Sequence, residues 1–402
     1  MQNPSVYSTI VLNISLETGF DMEPLERLKT LTSQMELESA EDYHCPQARR
    51  GNNYPGFVHN AVLPNGKTIA LLKTLLTSAC EQDCHYCPFR AGRNFRRATL
   101  KPDEMAASFM AFHRAGIVQG LFLSSGLVGG GLKTQDRLLD TAEILRKKLG
   151  FSGYLHLKIM PGAEFDQVER AMQLADRVSL NLEAPNVERL KILAPHKVFE
   201  DELLQPMKWI SEIRANKNSL RGWKNSWPSS ATQFVVGGAG ESDAEILSTT
   251  EYLYRVLGLK RAYYSPFKPV EDTPLENMPA TMLQRENRLY QASFLLRDYG
   301  FIMEELLFDD TGNLSQDQDP KLSWAMRFLS DNPVEINEAD RPVLLHVPGI
   351  GPKGVQSILE FRRTNRFKSP EDLRRIGINP NRALPFLLFN GKKAAQQLSF
   401  AL

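Results

Sequence analysis

The sequence has few cysteines, no long apolar run and almost no net charge: 402 residues contain four Cys and carry a formal charge of +1. No segment approaches the eighteen or so consecutive apolar residues of a membrane-spanning helix. The N-terminal stretch lacks the basic start and apolar core of a secretory signal. We therefore expect a cytoplasmic protein, in which closely spaced cysteines hold a metal or do redox chemistry more often than they form disulfides.

The small net charge conceals a difference between two parts of the chain. Residues 341–402 carry 11 Lys and Arg against 3 Asp and Glu, a balance of +8, whereas residues 1–340 have a balance of −7. A basic segment attached to a mildly acidic body is typical of a small appendage that binds a polyanion.

From about residue 68, short apolar runs rich in β-favouring residues alternate with longer amphipathic segments. This pattern predicts βα units around a parallel sheet. Helices are predicted between the strands, for example at 101–116, 134–150 and 242–258. The fold class is therefore α/β, with a partial (β/α)6 TIM-like barrel whose ligands bind at the carboxyl ends of the strands. The six predicted strands are 68–77, 120–126, 153–160, 177–184, 231–237 and 261–267.

The same reading divides the chain into four parts. A helix near 280–299 closes the barrel, and the polar stretch 309–321 has the composition of a linker or surface loop. The internal structure of the first part is not assigned. The predicted parts are an N-terminal extension 1–65, the barrel 66–305, a linker 306–335 and a small all-α domain 336–402.

Three of the four cysteines, Cys80, Cys84 and Cys87, follow the first predicted strand with the spacing C-x3-C-x2-C. Thiolates on one short loop can bind three corners of an iron–sulfur cubane, which leaves the fourth iron open to another ligand. A structural zinc site is the alternative, with His85 or His44 as the fourth ligand.

Polar residues also follow the later strands. Ser124, Ser125 and Gly126 form a turn after the second predicted strand. Ser179, Asn181 and Glu183 alternate along the fourth strand and therefore share one face. Polar side chains that point into a barrel are costly unless they bind something, although this face could instead meet solvent or a covering loop.

The fifth predicted strand ends in a glycine-rich turn that includes Gly237 and Gly238. Glycines at such a turn let the backbone approach an adenine or a carboxylate closely.

The segment 343–363 has the pattern of a helix-hairpin-helix motif. The sequence Pro348-Gly349-Ile350-Gly351 permits a tight hairpin, and the exposed amides at the start of the second helix, beside Lys353, can bind a DNA phosphate. Such contacts hold the DNA backbone without reading its sequence. A second, degenerate copy is predicted at 369–378. Docking to a protein is the alternative use of this hairpin.

The tryptophan-containing segment 214–230 and the isolated Cys45 each allow two interpretations. The segment 214–230 places Arg221 and Lys224 among Trp223 and Trp227, an arrangement that can stack on unpaired bases or plug the loop that carries it. Cys45 stands apart from the other cysteines and is either an additional active-site thiol or a small buried residue.

The cysteine motif, with the aromatic Tyr86 just before its last cysteine, is similar to that of the radical S-adenosylmethionine (SAM) superfamily. Together with "LFLSSG", "RVSLNLEAP" and "LLHVPGIG", it resembles a group of radical SAM proteins with a C-terminal helix-hairpin-helix motif that are described as DNA modification or repair proteins. The resemblance spans roughly residues 66–375.

This resemblance implies a [4Fe–4S] cluster on the three cysteines and SAM at its open iron. In the superfamily, the turn after the second strand binds the methionine amino group of SAM, but Ser124-Ser125-Gly126 stands here in place of the common Gly-Gly-Glu. The residues 179, 181 and 183 would bind the ribose hydroxyls and carboxylate, and the turn at 237–238 would approach the ligand. The implied reaction is reductive cleavage of SAM to methionine and a 5′-deoxyadenosyl radical.

The partners implied are DNA, an electron donor such as flavodoxin or ferredoxin, and a uracil-DNA-glycosylase-like protein. Two other functions compete with modification or repair of DNA. One is a radical SAM enzyme that acts on RNA or on a DNA-bound protein, and the other is a non-enzymatic DNA-binding protein with a structural zinc.

Overall fold

A computed structural model describes most of the chain, and the residues His44, Cys45 and Arg221 lie outside the part that it describes. The described residues fall into two compact units, Met1–Glu241 with Arg255–Thr281 and Ser242–Tyr254 with Met282–Leu402. The described ranges are 22–35, 58–62, 68–216 and 222–393.

Within the described residues, the first unit contains a seven-stranded sheet whose strands lie in chain order. The first strand is antiparallel to the second, and each later strand is parallel to the one before it. The strands are β1 Val58–Val62, β2 Thr68–Leu75, β3 Gly120–Ser124, β4 Tyr154–Lys158, β5 Arg177–Ser179, β6 Ser229–Val236 and β7 Arg261–Pro266.

Helices connect the parallel strands of this unit. The third helix continues into a π-helical turn at Ile144–Lys148, and a second π-helical turn at Phe199–Leu204 leads into the sixth helix. The helices are α1 Met22–Gln34, α2 Pro102–Arg114, α3 Gly130–Glu143, α4 Phe165–Leu174, α5 Val187–Leu193 and α6 Gln205–Ala215.

The predicted α/β fold is confirmed: the curled sheet with its helices is a partial barrel, and each of the six predicted strands is present. The apolar residues of β3 and β4 are fully buried, as expected for parallel strands covered on both faces. The sequence did not reveal β1, which extends the sheet within the predicted N-terminal extension and pairs from Val58 opposite Leu72 to Val62 opposite Thr68.

The second unit is mainly helical and has its own apolar core. That core includes Leu344, Val355 and Ile358, which are fully buried. The helices are α7 Asp243–Arg255, α8 Leu283–Phe294, α9 Pro320–Phe328, α10 Arg341–His346, α11 Pro352–Phe361 and α12 Pro370–Arg375, and the short strands are β8 Val334–Glu335, β9 Leu387–Phe389 and β10 Lys392–Lys393.

Part of the predicted linker is helical. Asp319 caps α9 by accepting a hydrogen bond from the Leu322 amide at 2.9 Å, and Ala325 of this helix is fully buried in the core of the second unit. The predicted domain boundaries themselves stay a prediction. None of the helices in the described ranges is both long enough and apolar enough to span a membrane.

Candidate active site and nucleic-acid interface

A cavity of about 390 Å³ lies at the carboxyl ends of the parallel strands. Its size is within the usual range for small-molecule sites. Because the carboxyl ends of parallel strands meet at one edge of the sheet, side chains far apart in sequence share this cavity. The predicted site residues that line it are Cys80, Cys84, Cys87, Ser124, Ser125, Gly126, Asn181 and Glu183.

The cysteine loop is tied to the chain that follows β3. The Glu81 amide donates a hydrogen bond to the Leu127 carbonyl at 2.8 Å. The Glu81 carboxylate accepts hydrogen bonds from the amides of Gly129 at 2.9 Å and Gly130 at 2.7 Å, at the start of α3. A carboxylate is favoured at a helix N-terminus, so Glu81 fixes the loop at its outer end.

Two backbone amides point at cysteine sulfurs. The Leu127 amide donates to Cys80 Sγ and the Phe89 amide to Cys87 Sγ, both at 3.4 Å. Hydrogen bonds of this kind stabilise sulfur that carries negative charge, and they help to set the potential of a bound cluster.

Gly126 is required where the turn after β3 passes the cysteine loop. Its amide donates to the Thr77 carbonyl at 2.7 Å. A Cβ atom at this position would lie 2.0 Å from the Ala79 carbonyl oxygen, which real contacts do not allow. The glycine therefore brings Ser124 and Ser125 beside the cysteines through close packing of backbone against backbone.

Arg97 holds the loop that follows the last cysteine. Its guanidinium donates to the carbonyls of four residues at distances from 2.8 to 3.2 Å, and it lies over the Phe95 ring at 4.2 Å. The segment after Cys87 thus wraps around one cation and places Phe89 in the cavity wall. The four carbonyls belong to Ser78, Phe89, Arg90 and Arg93.

A buried ion pair lies in the wall of the cavity. Lys197 Nζ lies 2.9 Å from Glu183 Oε1, and the two side chains are 7% and 5% exposed. Glu183 has a φ of 66°, in the left-handed region that non-glycine residues rarely adopt. Such strained positions concentrate at functional sites.

A second lysine lies beside this pair. Lys158 Nζ on β4 donates to Asn181 Oδ1 at 2.5 Å, and its positive charge contributes to lowering the pKa of Glu183. Although burial opposes the change, Lys197 lowers the pKa of Glu183 below its usual value. The cavity therefore presents the Glu183 carboxylate beside the ammonium groups of Lys158 and Lys197.

Burial dominates the pKa values of the thiols. It raises the pKa of Cys84 to about 11 against the opposing charge of Lys197, and it raises the pKa of Cys87 well above its usual value. Burial and the charge of Glu183 also hold the pKa of Tyr86 well above its usual range. Thiols that stay protonated without metal release their protons when they bind iron, so cluster binding depends on pH.

The residues present fit a [4Fe–4S] cluster with SAM. Each cysteine of such a site binds a different iron atom, so the thiols line one cavity without converging on one ion. Among the described residues, no group of three or more His, Cys, Asp or Glu is arranged so as to hold a single metal ion. The cavity wall also contains acceptors without a hydrogen-bond partner, which suit the ammonium, hydroxyl and amino donors of SAM. These acceptors are Glu183 Oε2, Gln233 Oε1 and Gln82 Oε1.

Three predicted cofactor-binding residues do not line this cavity. Ser179 lies one layer deeper in the barrel, where its hydroxyl is 2.8 Å from His156 Nε2.

The glycine turn after β6 is held by contacts within the protein. The Glu241 carboxylate accepts hydrogen bonds from the amides of Gly237 and Ala239. A Cβ at Gly238 would lie 2.9 Å from the Leu193 side chain. The contacts of all three predicted residues to SAM stay a prediction.

The tryptophan loop lies at the other end of the barrel strands. Trp223 precedes β6, and its ring packs on Arg146 with the guanidinium carbon 4.2 Å from the ring centroid. Arg146 in turn donates to the carbonyls of Phe151, Gly153 and Leu174, next to the amino ends of β4 and β5. This packing favours the interpretation that the Trp223 side chain packs beneath its own loop and does not stack on nucleic-acid bases.

The predicted helix-hairpin-helix motif is present in the second unit as α10, a tight hairpin and the ten-residue α11. Gly349 has a φ of 82°, and the Ile350 amide closes the turn on the Val347 carbonyl at 3.1 Å. Gly349 and Lys353 are exposed, whereas Pro348 and Ile350 are buried. The hairpin therefore presents its backbone and one lysine to solvent. Gly351 is the N-cap of α11.

The degenerate second copy is also helical. Its helix α12 begins after Ser369, and Asp372 accepts hydrogen bonds from the amides of Lys368 and Ser369 at 2.8 and 3.3 Å. Gly377 follows the helix with a φ of 80°. Its contact with DNA stays a prediction.

Sequence reasoning missed several polar residues of the cavity, among them Lys158, Lys197 and Gln233. Lys158 lies two positions after His156 in "YLHLK", so alternation along the strand was an available signal for it. Lys197 follows α5, in a loop whose sequence shows no pattern that points to the site.

Comparison with known protein families gives two matches. Residues 74–253 match the family described as the radical SAM superfamily, and residues 330–382 match the helix-hairpin-helix motif. The radical SAM family implies a [4Fe–4S] cluster and SAM as cofactors, and Cys80, Cys84 and Cys87 lie within the matched residues. No curated protein matches the chain.

Several solved structures are distantly similar. The FeFe-hydrogenase maturase HydG from Carboxydothermus hydrogenoformans is 16% identical over 56% of this chain, with a TM-score of 0.44. Methylornithine synthase (PylB) is 14% identical over 73% of this chain and 76% of its own, with a TM-score of 0.43. A radical SAM methyltransferase from Sphaerobacter thermophilus is 14% identical over 72% of this chain and 91% of its own, with a TM-score of 0.43. The chain spans 51% of the length of the Carboxydothermus protein.

Proposed function

Because this chain carries a radical SAM domain followed by a helix-hairpin-helix motif, we propose that it is a radical SAM enzyme that modifies or repairs DNA. The observation that supports this best is the shared cavity. Three thiols and several unpaired polar acceptors meet there, at the carboxyl ends of the barrel strands.

The chain's own residues would divide the work of binding. Cys80, Cys84 and Cys87 would hold the cluster. Lys158 offers its ammonium to the carboxylate of SAM, and Glu183 offers its unpaired oxygen to the ammonium of SAM. In this way Glu183 would supply the acidic group that the turn Ser124-Ser125-Gly126 lacks.

The chemistry that a bound cluster and SAM supply is one-electron cleavage of the sulfonium C–S bond to methionine and a 5′-deoxyadenosyl radical that abstracts hydrogen. The protein's share is to orient the ligand and to exclude water. The apolar wall of the cavity, which includes Phe89, Val235 and Phe267, serves the second task.

The helix-hairpin-helix motif would deliver the substrate. Its amides and Lys353 contact phosphate, so binding depends strongly on salt and little on sequence. A base in duplex DNA has to leave the helix before its atoms can be reached in a cavity of this kind.

Anaerobic reconstitution followed by assay tests the enzymatic part. We expect a brown protein with four iron atoms per chain that forms 5′-deoxyadenosine from SAM when a strong reductant is present. A colourless protein with one zinc would contradict the proposal. Mass spectrometry of nucleosides after incubation with DNA identifies the product, and turnover stimulated by RNA or a protein instead of DNA would contradict the substrate class.

Cys84→Ala separates the two parts of the proposal. The variant should lose iron and 5′-deoxyadenosine formation, because one of the three cluster ligands is gone, and should retain duplex binding. Lys191→Met, at an exposed position of α5, is the control and should retain both. Loss of DNA binding in Cys84→Ala would show that the two activities are not separable.

Reductive cleavage needs an electron donor, and a flavodoxin or ferredoxin has a suitable potential. Replacement of the chemical reductant by either protein with its reductase should support 5′-deoxyadenosine formation. Association with a uracil-DNA-glycosylase-like protein also stays a prediction, which co-purification from the native source would test.

A further inference from the structure

Lys321 of α9 contacts the hairpin from outside the residues that match the helix-hairpin-helix motif. Its ammonium donates to the Ile350 carbonyl oxygen at 2.6 Å and lies 4.6 Å from the centroid of the Tyr299 ring. The whole residue is 9% exposed. A lysine ammonium is thus buried directly behind the turn between α10 and α11.

The groups around this ammonium also support the two hairpin glycines. Asp319 forms an ion pair with Arg382, whose Cβ lies 3.1 Å from where a Cβ of Gly349 would be. The Tyr299 hydroxyl lies 3.0 Å from the corresponding point at Gly351. The titratable groups that face Lys321 are therefore Tyr299, Asp319 and Arg382.

Burial of this ammonium is unfavourable for the folded protein. Desolvation lowers the pKa of Lys321 to about 7. The charge of Asp319 opposes this shift, and the charge of Arg382 adds to it. An apolar side chain of similar length would avoid this cost. Ionisable groups that are buried at such a cost concentrate at functional sites.

We propose that Lys321 positions the hairpin for DNA, its ammonium fixing the Ile350 carbonyl and adding a positive charge behind the amides that bind phosphate. This inference rests on the proposed DNA-binding function and deepens it. Lys321 acts through the hairpin and does not itself touch DNA.

The consequence is a dependence of DNA affinity on pH near neutrality. A phosphate bound at the hairpin favours the ammonium form, so DNA binding takes up a proton once the free protein has lost it. Affinity is then highest below about pH 7 and falls as the pH rises above it.

The experiment compares the full-length wild type with Lys321→Met. Binding to a fluorescent duplex of about two helical turns is followed by anisotropy between about pH 6 and about pH 8.5 at constant salt. At the acidic end we expect the variant to bind roughly tenfold more weakly, as for loss of a charge-assisted contact. The difference should shrink at the alkaline end. Lys147→Met removes a lysine that is 58% exposed in the first unit and should follow the wild-type profile.

Parallel pH profiles for the wild type and Lys321→Met would overturn the inference. A wild type that binds no duplex at any pH would overturn the proposed DNA-binding function as well, and so the two failures are distinguishable. Should Lys321→Met not fold, calorimetry on the wild type at about pH 7.5 decides in its place. Titrations in two buffers of different ionisation enthalpy should show proton uptake on DNA binding, and its absence would overturn the inference.

Discussion

Lys197 and Glu183 form a buried ion pair between the cysteine loop and the end of β5, with 2.9 Å between Nζ and Oε1. The ammonium of Lys197 also interacts electrostatically with the sulfur of Cys84. Although burial opposes it, Cys84 in its thiolate form and the Glu183 carboxylate raise the pKa of Lys197 above its usual value. One cation therefore lies between the predicted cluster ligands and the predicted SAM-binding carboxylate.

We predict that Lys197→Met lowers the reduction potential of the reconstituted cluster. Net charge near a cluster is one of the factors that set its potential, and removal of a nearby cation disfavours the reduced state. Redox titration followed by electron paramagnetic resonance measures the shift. Lys191→Met, at an exposed position of α5, is the control and should leave the potential unchanged. An unaltered potential in Lys197→Met would show that this charge does not act on the cluster.

We predict that Glu183→Gln weakens SAM binding roughly tenfold to a hundredfold, the range for loss of a hydrogen bond to a charged group. The physical reason is that Glu183 is a buried carboxylate in the cavity wall, where Lys197 and Tyr86 are its side-chain partners and Oε2 has room for a further donor. Equilibrium dialysis with reconstituted protein measures the dissociation constant without turnover. Glu188→Gln, at an exposed position of α5, should bind SAM as the wild type does. Equal affinity in all three proteins would place the ammonium of SAM elsewhere.

Gly126→Ala should destabilise the first unit by about 1–3 kcal/mol, the usual cost of overpacking a filled site. The added Cβ would lie 2.0 Å from the Ala79 carbonyl oxygen, so the turn after β3 and the cysteine loop would have to move apart. Thermal unfolding measures the loss, and iron content after reconstitution should fall with it. Ser125→Ala leaves the backbone contact unchanged and should have the smaller effect. Full stability in Gly126→Ala would mean that the two loops do not pack this closely.

The titration of Lys321 also predicts how the stability of the second unit changes with pH. Its pKa is about 7 in the folded state, against 10.5 for an ordinary lysine. Between these values the unfolded chain binds a proton that the folded protein does not. Unfolding is therefore disfavoured as the pH rises from about 7 to about 10.5, by up to about 1.4 kcal/mol per pH unit.

Thermal unfolding at several pH values measures this effect as a difference between the wild type and Lys321→Met. Contributions from other groups cancel in the difference, and the stability of the wild type relative to Lys321→Met should rise across the interval. A constant difference would contradict the lowered pKa. The two predictions for Lys321 have opposite signs, because a higher pH should strengthen the fold and weaken DNA binding.

The sequence by itself determined the order of the barrel strands, the cysteine loop and the hairpin. These features depend on local patterns: apolar runs between turns, the spacing of Cys80, Cys84 and Cys87, and the glycines of Pro348-Gly349-Ile350-Gly351. Each pattern spans only a few residues, so it can be read before the chain is folded.

Only the tertiary structure decided which polar residues share the cavity. Alternation correctly grouped Asn181 and Glu183, but it could not show that Ser179 lies one layer deeper against His156, because the depth of a residue depends on the register of neighbouring strands. Lys197 reaches the cavity through a loop, and Lys321 reaches the hairpin from a helix about 30 residues earlier. Contacts of this kind join residues far apart in sequence, and no local pattern encodes them.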